Sequence, residues 1–335
     1  MMSSNYFRKK IILLNFVATM LIVALHALPP VRFGMEVSWD MPLFYILMVV
    51  CQMGVPMFFF ISGLLFFNTC DSIGNVSEKL QRRVKTLLVP YLLWNTIFVA
   101  IFYILTNVDF TSNLMNMGKP FTSPERIFIA IVDSRFTPLW FVKMLMFYTI
   151  LTPIIYLVLQ HKLLFCAITI AAIMNALPMQ WTDYDSFWMW LPIYLLGCGM
   201  GYYKFSFRRT APLIVVVAVG LVVALTMSCF NLDSMMALRL ISPITIWILI
   251  DCLLSNIIRE KFVVKRWMTY TFFIYCTHYF ILNVLQKIAV KLFEPTALVM
   301  WLTFVITVVM TVGSLILVAN IFHDTKAYKI LTGGR

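Results

Sequence analysis

The stretch IILLNFVATMLIVALHAL, residues 11–28, decides the reading of this chain. It holds enough consecutive apolar residues to cross the hydrocarbon core of a bilayer, and it carries one ionisable side chain, His26, near its far end. Arg8, Lys9 and Lys10 precede it, and Pro29-Pro30 follows. A charged group at this depth costs roughly 2.5–3.5 kcal/mol on insertion scales. Histidine is the least costly of the ionisable types, because it stays neutral and still exchanges a proton near neutral pH. His26 is therefore the candidate centre of the chemistry. A neutral ring hydrogen-bonded at a helix end is the structural alternative.

The same apolar pattern continues through the chain. Hydrophobic residues make up 62% and charged residues 12%, against about 25% charged in a soluble domain. The expected fold is all-α, a polytopic membrane protein of about ten transmembrane helices with no appended soluble domain, residues 1–335 forming one unit. The spans fall near 11–28, 41–67, 87–107, 138–159, 163–178, 187–203, 211–230, 236–257, 268–290 and 297–321. The second is longer than a bilayer needs, and Pro56 is its expected kink. The ending HALPP lacks a small-residue cleavage site, so the first segment reads as a retained helix. Seven scattered cysteines form no metal or disulfide pattern and read as packing residues.

The net charge of +12 does not indicate nucleic acid, since the basic residues sit in short loops between apolar spans. Lysine and arginine concentrate in alternate loops, including 8–10, 79–85, 204–209, 259–266 and 326–335, which places both termini in the cytoplasm. The opposite loops are the acidic ones, with Glu36, Asp40, Asp109, Glu125, Asp133, Asp183, Asp185, Asp233 and Glu294. Within the longest, roughly 108–137, ERIFIAIVDSR reads as an amphipathic helix lying on the surface.

Further polar groups punctuate the spans. Asn15 lies about 16 Å from His26 along one helix. Ser62-Gly63 in GVPMFFFISGLLFF is a small-residue patch that admits another helix closely. Arg82, Arg83 and Lys85 in KLQRRVKTLLVPYLLWN suit phosphate groups, although topology alone also asks for positive charge there. Trp140 and Phe141 open PLWFVKMLMFY as an aromatic belt, and Lys143 either snorkels outward or lines a cavity. Arg239 and Asp251 lie too far apart on one helix to pair, so each needs another partner. His278 in IYCTHYFIL sits mid-span, as a hydrogen-bonded structural group or as a proton relay. His161 and His323 fall at helix ends.

Five of these stretches, in order, resemble acyltransferase family 3, the integral-membrane acyltransferases of the bacterial envelope. They are VALHA around His26, GVPMFFFISGLLFF, RRVKTLLVPYLLW with Pro90-Tyr91, PLWFVKMLMFYTILTPIIY and IYCTHYFIL. Asn15 departs from the family, which usually has an arginine eleven residues before the first-helix histidine. The resemblance implies transfer of an acyl group, usually acetyl, from cytoplasmic acyl-CoA (acetyl-CoA) to a hydroxyl of a cell-surface glycan or lipid-linked sugar. It implies His26 as base or transient acyl carrier and the Arg82, Arg83 and Lys85 loop as the donor anchor. Asn15, Ser62, Tyr91, Trp140, Lys143 and His278 would be supporting groups. The setting implied is the bacterial cytoplasmic (inner) membrane, among membrane lipids and glycan-assembly proteins. Two alternatives remain: an exporter of lipid-linked glycan or small molecules, against which the missing repeated halves argue, and a non-catalytic partner in glycan assembly.

Overall fold

A computed structural model describes residues 4–36, 41–70, 72–107, 123–134, 138–180, 182–205 and 210–334. Asp40, Asp109, Lys119, Arg135, Arg208, Arg209 and Arg335, and most of the 108–137 loop, lie outside these residues. Among the described residues the secondary structure is helical throughout. In chain order the α-helices are α1 (Ser4–Ala27), α2 (Pro29–Arg32), α3 (Pro42–Cys51), α4 (Gly54–Phe67), α5 (Ile73–Asn107), α6 (Pro124–Asp133), α7 (Trp140–Ile150), α8 (Thr152–Leu159), α9 (Lys162–Ala176), α10 (Phe187–Tyr203), α11 (Ala211–Phe230), α12 (Met235–Leu249), α13 (Thr271–Leu292), α14 (Ala297–Phe322) and α15 (Lys326–Leu331).

All ten apolar stretches are helical. By length and composition, seven segments among the described residues suit a membrane crossing, or eight if the bent pair α7–α8 is one span. The remaining two, α9 and α10, have 15 and 17 residues, at or below the lower limit for a bilayer. The expected amphipathic helix is present as α6, capped by Ser123, whose hydroxyl accepts from the Arg126 amide at 3.3 Å.

Prolines explain the breaks. The second span interrupts at Gln52-Met53, one turn before Pro56, because Pro56 has no N–H to give the Gln52 carbonyl. Pro153 does the same between α7 and α8, which meet at 54°. There the Thr152 hydroxyl donates to the Thr149 carbonyl at 2.6 Å, filling the bond that Pro153 cannot make. The eighth span loosens differently: α12 runs into two π-helical turns, Ile250–Leu254 and Ile257–Lys261. Such turns place side chains out of α-helical register and recur at functional sites.

Helices in lipid associate through close packing, so small residues mark the contacts. α4 packs against α1, α10 and α12. A Cβ at Gly197 or Gly201 of α10 would overlap the carbonyl oxygen of Phe60 or Leu64 in α4, and one at Gly63 would meet the Tyr194 carbonyl. The backbones therefore touch along this seam. The Ser62-Gly63 patch does what its composition suggests, with Gly63 at the contact.

Polar contacts gather the basic segments at one end. Lys9 Nζ donates to the Arg259 carbonyl at 3.1 Å, Arg266 pairs with Asp324 at 3.5 Å, and Trp94 Nε1 donates to the Leu331 carbonyl at 2.9 Å. The N-terminal turns, the loop after α12 and the C-terminal helix thus share a level, as the charge pattern expects.

Gly197→Ala should cost about 1–3 kcal/mol by overpacking at the seam. The check is a lowered thermal midpoint in detergent, with Gly220→Ala, which faces open space, left unchanged.

Candidate active site

His26 occupies the last turn of α1, just before Pro29 ends the helix. Its Nδ1 lies 2.9 Å from the Ile22 carbonyl and 3.2 Å from His278 Nε2 of α13. The His278 ring is fully buried, and its Nδ1 lies 2.8 Å from the Tyr275 carbonyl and 3.1 Å from that of Ile274. A carbonyl only accepts, so a neutral His278 carries its proton on Nδ1 and turns the Nε2 lone pair towards His26. His26 Nδ1–H then donates to both Ile22 and His278. The lone pair of His26 is left on Nε2, the atom able to take a proton from a reacting group.

The surroundings hold this pair. The Tyr279 ring stands edge-on to His26 at 5.3 Å. Gln286 Nε2 donates to the Ala27 carbonyl at 2.7 Å, fastening the end of α1 to α13. Tyr275, three residues before His278 and so on the same face, donates its hydroxyl to the Pro138 carbonyl at the head of α7. Phe58 of α4 packs against both Tyr275 and Phe141. His26 itself is half-buried, whereas its partner is sealed.

The other expected site residues are dispersed. Asn15 is half-buried on nearly the same face of α1 as His26, since eleven residues are close to three turns. Ser62 is half-buried beside the glycine seam. Tyr91 is buried, and its hydroxyl donates to the Val132 carbonyl of α6 at 2.6 Å. Trp140 packs against Tyr184 and Trp190 rather than on the histidine pair. Lys143 reaches the exposed Asp133 of α6 in an ion pair at 2.8 Å and also lines a cavity, so both of its sequence readings describe it.

Arg82, Arg83 and Lys85 do not converge. They lie on the unbroken helix α5, where each residue turns about 100° from the last. Arg82 is exposed and pairs with Glu78, Lys85 is exposed, and Arg83 is half-buried against α7.

Two polar clusters were half-visible in the sequence. Arg239 is buried, with Gln52 Oε1 at 2.7 Å and its guanidinium 5.0 Å over the Trp190 ring. Gln52 sits at the break that Pro56 forces. Asp251 lies in the first π-helical turn and pairs with Lys10 at 2.8 Å, while Tyr6 donates to the same carboxylate oxygen at 2.6 Å. Lys10 also donates to the Trp247 carbonyl at 2.8 Å and stands over that ring. Neither partner could be chosen by spacing, because each is more than 180 residues away.

A family model described as an acyltransferase domain matches residues 8–319. No curated protein and no solved structure matches the chain.

Removing one member of a buried ion pair typically costs 3–5 kcal/mol, while replacing both is milder. Lys10→Met should thus lower the thermal midpoint more than the double variant Lys10→Met/Asp251→Leu does. Additive losses in a double-mutant cycle would remove the coupling inferred between them.

Proposed function

The chain belongs to acyltransferase family 3, and from that premise we propose that it moves an acyl group, usually acetyl, from acyl-CoA to a hydroxyl of a cell-surface glycan or lipid-linked sugar. The protein is an integral membrane protein by its apolar helices and its family. In this reading it lies in the bacterial inner membrane, crosses it about ten times, and keeps its basic end in the cytoplasm.

The observation that carries the proposal is the His26–His278 hydrogen bond. An imidazole fixed in one tautomer by a second, buried imidazole is a base aimed in one direction. His26 Nε2 takes the proton of the acceptor hydroxyl as its oxygen attacks the thioester carbonyl. The C–S bond breaks, and the imidazolium returns the proton to the departing thiolate. While charged, the ring still donates from Nδ1 to the Ile22 carbonyl and His278 Nε2, which stabilises the positive form. Positioned bases of this kind contribute typically 10²–10⁴-fold. His278 is a positioning residue in this scheme.

At the basic end, Arg82 and Lys85 present cations to water, where a cytoplasmic nucleotide arrives. The charged phosphates stay at that face, since charge does not enter hydrocarbon cheaply. The uncharged arm of the donor reaches inward along α1 past Asn15, whose amide adds no charge to the path.

His26→Ala should lower turnover at least about 100-fold, measured as thiol release from acetyl-CoA by protein reconstituted in vesicles with a glycan acceptor. Full turnover in that variant would end the proposal. His278→Phe should lower kcat while leaving the donor KM unchanged, since it disturbs the tautomer and not donor binding. Arg82→Ala and Lys85→Ala should do the opposite, raising the donor KM with kcat retained. An unchanged KM in both would leave those charges as topology signals alone.

A further inference from the structure

Between α5 and α7 lies a cavity of about 170 Å³. Leu87 forms its buried floor, and its flanks include Val84, Leu88, Phe147 and Ile150, each exposed on the outer surface of the helices. In a membrane protein such residues face lipid, so the cavity opens sideways into the bilayer. Its polar groups are few. The Thr149 hydroxyl is taken by the Leu145 carbonyl at 2.7 Å, and Lys143 is paired with Asp133. Arg83 differs. It is half-buried at the end of the cavity nearest the basic face, and among the described residues its guanidinium has no carboxylate or hydrogen-bond partner. Lys10 and Arg239, the other cations buried within the helices, each have partners.

A cation beside an apolar slot calls for an anion carried on a hydrocarbon chain. The slot is too small for a nucleotide: a dry cavity of roughly 150 Å³ holds a benzene-sized guest. Its side opening also faces chains already present in the membrane, not solutes from water. We infer that this cavity binds an anionic phospholipid of the leaflet at the basic end, with its phosphate on Arg83 and part of one acyl chain between Val84, Leu88, Phe147 and Ile150. A guanidinium suits the headgroup because its forked donors match phosphate oxygens. The chain then runs along α5 from Arg83 past Leu88, a rise of about 7.5 Å. The inference does not rest on the acyl-transfer reading, and a protein inactive with acyl-CoA would bind this lipid equally.

The test is native mass spectrometry of the full chain, delipidated in detergent and offered phosphatidylglycerol or phosphatidylcholine of matched chains. The wild type should retain phosphatidylglycerol about fivefold more than phosphatidylcholine. Arg83→Ala should reduce phosphatidylglycerol to the level of phosphatidylcholine. Leu88→Trp, which fills the slot and spares the cation, should lose both, which keeps the test decisive should Arg83→Ala not fold. Equal retention of the two lipids by the wild type, or unchanged retention by either variant, overturns the inference. Displacement of phosphatidylglycerol by coenzyme A also overturns it, and would give the cavity to the donor.

Discussion

Inside a bilayer no water is at hand, so a polar side chain there must be met by another part of the same chain. That constraint shapes this protein more than any other. Lys10 meets Asp251, Arg239 meets Gln52, Gln286 meets the end of α1, and His278 meets His26. Each contact ties together segments that are remote in sequence, and each is made in a medium where the alternative is an unsatisfied group. The polar contacts thereby fix which helices are neighbours and at what height. Arg83 stands out against this pattern, because among the described residues its guanidinium has no hydrogen-bond or carboxylate partner.

Apolar packing supplies the complementary constraint. Leucine and valine are as well solvated by lipid as by protein, so they do not choose neighbours. Glycine does, by letting two backbones touch. The seam of Gly63 with Gly197 and Gly201 brings α4 against α10, and Phe59 then stacks on Trp190 across it. Prolines decide where the helices bend. Pro56 breaks the span at Gln52, whose side chain accepts from Arg239 of α12, so the break and this polar contact coincide.

The catalytic proposal is a consequence of this arrangement. Acyl transfer needs a base that is neutral, oriented and close to the membrane's polar boundary. His278 is buried, and its carbonyl contacts on Nδ1 dictate which nitrogen of the neutral ring faces His26. The tautomer of His26 is therefore set from behind, with its proton on Nδ1 and its lone pair on Nε2. In that proposal the exposed cations of α5 capture the donor at the basic face, and the histidine pair performs the chemistry.

Much of the architecture was legible in the residues. Long apolar runs demand helices in lipid, because only a helix satisfies its own backbone, and the Lys and Arg asymmetry orders their ends. His26 and His278 stood out because an ionisable group inside such a run is costly enough to need a reason. Local chemistry also marked Gly63 as a contact and Pro56 as a break. The pairings were not legible: nothing in the spacing of Lys10 and Asp251, or of Gln52 and Arg239, identifies them as partners. The side on which Arg83 emerges was equally hidden, since a run of basic residues reads as one patch until a helix turns its members apart by about 100° each. Periodicity and composition act along the chain and so determined elements and depth. Partners are chosen across the chain, by which helices their small residues and prolines allow to meet, and only the tertiary structure decided those.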